Sequence, residues 1–471
     1  MLFNTFHFMY FFVIVFALYW ASSFRFQNLL ILCAGYYFYA CWDPRFLALL
    51  ILSTAMDYGC GIAVDRIEEP RRRKLFLILS MALNLGMLGY FKYFNFFAES
   101  LQSLLDRSGV HVSIDRLNVA LPIGISFYTF QSMSYVIDVY RREIKPTRNL
   151  IQFAAFVSFF PHLVAGPIMR PTTLLPQIER PRTFDLHQFY QGVYLIFWGL
   201  VKKVVVADNL APIVNDLFGR SATIDGGSAL LAVYAFAFQI YCDFSGYTDT
   251  ARGIAKCLGF ELALNFNLPY FATSPRDFWA RWHISLSTWL RDYVYISLGG
   301  NRGGKAKLYR NLMLTMVIGG LWHGAAWTFV LWGFYQGLIL IGHRVLEPYL
   351  ARIRPTDSID RGAWKLARIV ATFHLVCFGW LIFRAESTTQ LSNMIHAIVD
   401  RPAIPAAATL LPIAICIIPI LIIQMIQYIT RDMIFIFRAP WYARSVFYAA
   451  CFYAFVLGGE FGGGRFIYFQ F

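Results

Sequence analysis

The sequence contains few charged residues. Asp, Glu, Lys and Arg together make up 14% of its 471 residues, whereas 58% of the residues are hydrophobic. A typical soluble domain is about 25% charged. The mean hydropathy is +0.52. This composition excludes an ordinary soluble domain and predicts a protein whose main partner is the lipid bilayer.

Acidic residues are scarcer than basic ones, 27 against 41, which gives a formal net charge of +14. Such an excess of positive charge is typical of nucleic-acid-binding proteins. Here, however, the Lys and Arg residues concentrate in short loops between apolar stretches, as they do in cytoplasmic loops of membrane proteins. The charge therefore indicates membrane topology, and no nucleic-acid partner is expected.

Several sequence motifs are missing. The eight cysteines form no CxxC pair and no Cys/His group at metal spacing, so neither a disulfide framework nor a metal site is predicted. No GxSxG or HExxH motif occurs, which gives no support to a serine or zinc hydrolase. Lys and Arg are absent before Arg25, so the first apolar stretch lacks the basic start of a signal peptide and should be a retained helix.

Long apolar stretches dominate what is present. Each bilayer crossing needs about 20 apolar residues, and roughly ten to twelve such stretches occur. They predict an all-α polytopic membrane protein with residues 1–471 forming one integral membrane domain. The clearest stretches lie near residues 6–20, 26–42, 45–63, 75–91, 119–139, 311–342, 366–383, 407–428 and 443–457, with a longer polar connection at 92–118.

Two basic loops predict the orientation of the chain. Residues 66–74 contain four Arg and one Lys, and residues 141–148 contain three Arg and one Lys. Both loops should be cytoplasmic. Counting crossings back from the first loop places the N-terminus and the 92–118 connection outside.

The region between residues 150 and 310 has a different pattern, because Pro, Lys and Asp interrupt its apolar runs. Runs shorter than a full crossing predict re-entrant or interfacial helices. Irregular backbone at membrane depth is tolerated only where it is buried in protein or lines a wet cavity. A central cavity or tunnel is therefore expected.

His323 is the main candidate for chemistry. It lies in a run of 31 residues, 312–342, that contains no Asp, Glu, Lys or Arg, and Gly319, Gly320 and Gly324 surround it. One helix of that length would exceed the bilayer core unless it tilts, so the run either tilts or breaks, and glycines favour a break at His323. Such a histidine can act as a general base, although a histidine that only packs is the alternative.

His283 is a second candidate. In residues 278–304 the aromatic and apolar residues recur at helical spacing, which predicts one amphipathic helix with His283 on its apolar stripe, where a packing histidine is common. Arg281 and Arg291 could receive coenzyme phosphates, but such residues more often meet lipid headgroups, so no cofactor-binding residue is assigned. The following GGNRGG fits a turn.

Asp243 and Asp249 follow an apolar segment in YCDFSGYTD. An acidic residue near membrane depth is costly enough to require a partner or a function. The simpler interpretation is a helix-end ion pair or a helix cap.

Four stretches of the sequence are distinctive: LPIGISFYTFQSMSYVIDVYR, FFPHLVAGPI, FWARWHISLSTWLRDYVYISLGGNRGG and GGLWHGAAWTFVLWG. They resemble the membrane-bound O-acyltransferase family, in particular its bacterial alginate O-acetylation branch. GYFKYFNFF, CDFSGYTD and the terminal FIYFQF extend the similarity through almost the whole chain.

The resemblance implies a helical membrane fold with a central tunnel, in which His323 corresponds to the catalytic histidine and His283 to a second functional position. It implies acetyl-CoA as the acyl donor, without a metal. The acceptor it implies is a cell-surface polysaccharide such as alginate, cellulose or peptidoglycan. A periplasmic SGNH-hydrolase-like partner and a location in the bacterial inner membrane are implied as well.

Two other functions are compatible with these features. A transporter or channel component of a polysaccharide export machine would also need broken helices, a cavity and intramembrane histidines. A transporter usually has two matching halves, and no internal repeat is evident. A scaffold whose histidines only pack is the other alternative.

Overall fold

The computed structural model describes residues 1–353, 355, 358–461 and 466–467, and all regular structure in these residues is helical. Of the terminal FIYFQF stretch, only Phe466 and Ile467 are therefore described. Six of the described helices are long and apolar enough to cross a membrane, which confirms the all-α polytopic class. They are Pro44–Arg66, Pro70–Arg107, Gly226–Cys257, Trp327–Arg352, Asp360–Arg384 and Ala407–Thr430.

The chain forms two compact units, of which the first comprises Met1–Phe197 and Thr248–Ala263. Two helices, α9 (Leu186–Val201) and α11 (Gly226–Cys257), have residues in both units. The other helices of the first unit are α1 (Phe6–Trp20), α2 (Phe24–Ala40), α3 (Pro44–Arg66), α4 (Pro70–Leu88), α5 (Phe94–Arg107), α6 (Ile125–Tyr140), α7 (Leu150–Val157) and α8 (Pro171–Glu179).

A buried polar cluster joins α3 to α4 within the first unit. The Asp57 carboxylate accepts hydrogen bonds from Ser80 Oγ at 2.6 Å and from Asn84 Nδ2 at 2.9 Å. All three side chains are fully buried. Because buried polar groups are costly unless they are hydrogen-bonded, the cluster fixes the pairing of these two helices.

The second unit comprises Trp198–Tyr247 and Leu264–Phe471. A π-helical segment, Lys202–Ala207, connects α9 to α10 (Asp208–Gly219) in this unit. Its helices are α10 (Asp208–Gly219), α12 (Pro275–Trp279), α13 (Ile284–Trp289), α14 (Lys305–His323), α15 (Trp327–Arg352), α16 (Ser358–Arg384), α17 (Thr388–Asp400), α18 (Ala407–Thr430) and α19 (Trp441–Gly458).

Two sequence-based predictions about helix bounds are wrong. Residues 92–107 of the predicted polar connection are helical, because α5 is amphipathic and buries Phe96 and Ala98 while it exposes its charged residues. The region 150–310 contains α11, a helix of 32 residues, and not only short pieces. Acidic residues within α11 lower its hydropathy and so conceal its length in the sequence.

Close packing of α14 against α15 depends on glycine. A Cβ atom at Gly320 would overlap the Phe329 carbonyl oxygen and lie 3.1 Å from Gly333 Cα. Gly333 in turn faces the main chain of Met316 and Val317. Small residues of this kind let two helix backbones approach closely.

We therefore expect Gly320→Ala to destabilise the protein by about 1–3 kcal/mol, because the added methyl group forces two backbones apart. The thermal midpoint of the detergent-solubilised protein measures this loss. Gly342→Ala is the matched control, since no atom of another described part of the chain lies within 4 Å of the added Cβ. Equal midpoints for the two variants would show that the close approach does not require glycine.

Candidate active site

His323 is the last residue of α14. Gly324 follows in an extended conformation, with φ −163°, and the next helix begins at Trp327. The apolar run 312–342 thus breaks where the glycines predict it. The break places the His323 side chain, which is 5% exposed, at the end of one helix and beside the start of another.

Aromatic rings surround the His323 imidazole. The ring centroids of Trp322 and Trp332 lie 5.0 Å from that of His323, and the Phe383 centroid lies at 5.4 Å. The three rings meet the imidazole edge to face, an arrangement that aromatic pairs favour. This packing holds the imidazole in one orientation and excludes water from most of its surface.

His283 lies at the start of α13, in the left-handed backbone conformation with φ 43°. The predicted single amphipathic helix over 278–304 is therefore wrong. The chain leaves the helical path after Trp279, and Asn265 satisfies the amide groups exposed by the break. Its main-chain oxygen accepts from Ile284 N at 3.0 Å, and its side-chain oxygen accepts from Ser285 N at 3.2 Å.

The His283 imidazole is completely buried. Its Nδ1 lies 3.2 Å from Asn265 Oδ1, and its ring packs edge to face on Phe244 with the centroids 4.7 Å apart. Burial disfavours the charged form and lowers the pKa of His283 to about 3. The side chain is therefore neutral at physiological pH.

The two predicted histidines lie together in the second unit, with ring centroids 6.4 Å apart. The Trp322 ring contacts both imidazoles, with its centroid 5.7 Å from that of His283 and 5.0 Å from that of His323. The separation is too large for a direct hydrogen bond between the rings. A reacting group that reaches His323 would therefore also lie near a second, neutral imidazole.

Sequence reasoning missed a buried ion cluster beside this site. Lys203 Nζ lies 2.8 Å from Asp208 Oδ1 and 2.6 Å from Asp243 Oδ1, and all three side chains are 3% exposed. The other Asp243 oxygen accepts a hydrogen bond from Ile467 N at 2.8 Å. Buried charges persist only when they are paired in this way.

Neither Asp243 nor Asp249 lies at a helix end, where it could form the predicted ion pair or helix cap. Asp243 lies in the interior of α11 and pairs with Lys203, whereas Asp249 pairs with Arg252 at 3.1 Å on the same helix. The helix-end interpretation is wrong because α11 continues to Cys257. The cost of an acid inside the helix is offset by a lysine that lies 40 positions earlier in the sequence.

A cavity of about 740 Å³ opens next to the ion cluster. Phe329 and Phe383 line it, with their ring centroids 5.0 Å apart, and Phe383 also contacts His323. The cavity and the catalytic candidate therefore share one neighbouring side chain, that of Phe383. The predicted tunnel stays a prediction.

The other candidates from residues 278–304, Arg281 and Arg291, each form an ion pair with an aspartate. Arg281 pairs with Asp277 at 2.7 Å, and Arg291 pairs with Asp292 at 2.6 Å. The glycines of GGNRGG have positive φ angles, between 55° and 108°, which confirms the predicted turn. No group of His, Cys, Asp or Glu residues within the described ranges is arranged to hold a metal ion.

Comparison with known proteins adds to this geometry. The model of the membrane-bound O-acyltransferase family matches residues 136–378. A probable alginate O-acetylase of Azotobacter vinelandii is 46% identical over 392 residues, which cover 82% of this chain and 76% of that protein. The peptidoglycan O-acetyltransferase of Helicobacter pylori is 33% identical over 406 residues, which cover 81% of this chain and 75% of that protein.

A third relative is more distant. The teichoic acid D-alanyltransferase of Bacillus subtilis is 32% identical over 276 residues, which cover 56% of this chain and 69% of that protein. The family match includes α14, the break after His323 and most of α16. Both histidines therefore lie inside the matched region.

Proposed function

We propose, from the premise that the chain belongs to the membrane-bound O-acyltransferase family, that it moves acetyl groups from acetyl-CoA to a polysaccharide acceptor. The family membership makes the protein an O-acyltransferase, and its apolar helices make it a multi-pass membrane protein. The donor, the acceptor and the direction of transfer are proposals. Their main support is similarity to an alginate O-acetylase and a peptidoglycan O-acetyltransferase.

The observation that carries the proposed mechanism is the position of His323 at a helix break, among aromatic rings and close to His283. His323 would take the proton of an acceptor hydroxyl while the hydroxyl oxygen attacks the thioester carbonyl carbon. A C–O bond forms and the C–S bond breaks. The leaving thiolate then recovers the proton from the His323 imidazolium, so that the histidine is neutral again.

His283 would position the reacting groups rather than transfer the proton. Its neutral imidazole is held by Asn265 and packs on Phe244, so its place relative to His323 is fixed. A misplacement of about 1 Å in such a site can cost about 10²-fold in rate. The direct route through His323 requires no covalent enzyme intermediate.

We expect His283→Ala to lower the transfer rate by about 10- to 10²-fold, because the base remains while its surroundings relax. The loss should be smaller than that caused by His323→Ala. Initial rates of both variants, measured with the same acceptor, test this order. A larger loss in His283→Ala would assign the proton transfer to His283 instead.

The positions of the basic loops and the family membership support a proposed membrane topology and location. The basic loops at 66–74 and 141–148 would face the cytoplasm of a bacterium, and the N-terminus would face the periplasm. Acetyl-CoA would approach from the cytoplasmic side of the inner membrane, to a single integral membrane domain. A periplasmic SGNH-hydrolase-like protein would complete the transfer to the polysaccharide.

An assay in nanodiscs tests the proposed reaction against transport. A nanodisc has no sealed lumen, so an acetyl ester that forms there cannot result from transport between compartments. Purified protein, isotopically labelled acetyl-CoA and alginate, cellulose or peptidoglycan fragments should yield labelled ester, with candidate periplasmic partners supplied in parallel. Movement of label only in sealed proteoliposomes, without ester formation, would favour a transporter.

A further inference from the structure

The cavity beside the ion cluster has buried hydrogen-bond acceptors without protein donors. Asp208 Oδ2 and Gln239 Oε1 both line this cavity, and neither has a partner among the described residues. Both residues are buried. A buried acceptor left unpaired costs free energy. A ligand that donates hydrogen bonds would therefore be stabilised at these two atoms.

Charges around the cavity restrict the ligand further. Among the described residues, two cations and four carboxylates line it, which is a formal excess of two negative charges. These residues are Lys203, Arg384, Asp208, Asp243, Glu386 and Glu460.

Both cations are already engaged by the protein. Lys203 bridges two carboxylates, and Arg384 donates to Glu386 at 3.1 Å and to Asn215 at 2.8 Å. An anionic ligand would therefore meet repulsion and find its counter-charges occupied. A neutral ligand that carries hydroxyl groups meets neither obstacle.

We propose that this cavity binds a neutral sugar, whose hydroxyl groups donate hydrogen bonds to Asp208 Oδ2 and Gln239 Oε1. The same lining disfavours anionic groups, such as the phosphates of coenzyme A and the carboxylates of a uronic acid. Sugar hydroxyls suit the site because each hydroxyl both donates and accepts hydrogen bonds. A volume of about 740 Å³ is within the range of small-molecule sites.

The position of the cavity connects the inference to catalysis. Phe383 lies on its wall and also contacts the His323 ring. A sugar held there would lie against a side chain that also contacts the catalytic candidate. In this respect the inference rests on the proposed function: it assigns the cavity to the hydroxyl-bearing acceptor and not to the acyl donor, and among the proposed acceptors it favours cellulose, a neutral polysaccharide, over alginate, a polyuronate.

Direct binding tests the cavity independently of transfer. Equilibrium dialysis of the full chain in nanodiscs should show that labelled cellotetraose, a neutral sugar, binds at least about tenfold more tightly than a tetrauronate of the same length. Gln239→Met keeps the side-chain volume but removes the acceptor, and it should weaken cellotetraose binding about three- to tenfold. Asp208→Asn, which keeps an oxygen for Lys203, should weaken binding about tenfold.

Gln336→Met is the matched control. Gln336 is 1% exposed and its Oε1 also has no donor among the described residues, but it does not line the cavity. The control should bind cellotetraose as the wild type does, and the thermal midpoint of each variant reports whether it folds. Equal affinity of Gln239→Met and wild type, equal affinity for the two tetrasaccharides, or no binding of either would overturn the inference.

The transfer assay separates this inference from the proposed function. Wild-type protein that forms acetyl esters, together with unchanged cellotetraose binding in Gln239→Met, would contradict the cavity assignment alone. Absence of ester formation together with Gln239-dependent binding would contradict the proposed function and leave the sugar site standing. Binding of neither sugar would favour a hydroxyl side chain of a partner protein as the acceptor.

Discussion

His323→Ala should lower the rate of acyl transfer by about 10²- to 10⁴-fold, which is the range of a general base. In the proposed mechanism the imidazole takes the acceptor proton, and alanine removes the imidazole without introducing a charge. The aromatic rings around it should keep their places, because the close packing of α14 against α15 at Gly320 and Gly333 does not involve the imidazole. Initial rates of acetyl ester formation in nanodiscs measure the effect.

His374→Ala is the control for removing a histidine from the second unit. His374 is exposed on α16, where its imidazole contacts Tyr234 Oη and the Val370 carbonyl oxygen. This variant should keep wild-type transfer within a factor of about two, the size of a typical surface effect. If His323→Ala were as active as His374→Ala, the assignment of the base would be wrong.

Lys203→Met should destabilise the protein by about 3–5 kcal/mol, because it leaves two buried carboxylates without their shared cation. The side chains of Asp208 and Asp243 are each 3% exposed, so both carboxylates are largely removed from bulk solvent. The loss should appear as a large fall in the thermal midpoint of the detergent-solubilised protein.

Two further variants test the cause of this loss. Arg220→Gln breaks the exposed Arg220–Asp216 pair and should cost less than about 1 kcal/mol. A triple variant, Lys203→Met with Asp208→Asn and Asp243→Asn, removes the uncompensated charges and should recover much of the stability. A triple variant no more stable than Lys203→Met would mean that lost packing, and not buried charge, explains the effect.

Local sequence patterns predicted much of the helical framework. The apolar stretches at 6–20, 26–42 and 45–63 correspond closely to α1, α2 and α3, because a membrane helix must be apolar along most of its length. The break beside His323 was predictable for a similar reason. Glycines within a run too long for one crossing indicate where two helices meet.

The start of α13 at His283 and the ion cluster inside α11 depend on contacts between residues that are distant in the sequence. Helical spacing over 278–304 could not reveal that Asn265 caps a new helix at His283, because the cap comes from 18 positions earlier. The spacing also favoured one continuous helix where the backbone turns. No local pattern indicated that Lys203 would offset the charge of Asp243 inside α11.

The measurement that tests the central claim most directly is the ratio of free coenzyme A to ester-linked acetyl in one reaction. The purified wild-type protein in nanodiscs would receive labelled acetyl-CoA and the acceptor, with any required partner. Acyl transfer predicts that the two products appear at equal rates and that both are lost in His323→Ala. Coenzyme A release without ester, or an undiminished yield of both products in His323→Ala, would contradict histidine-dependent O-acyl transfer.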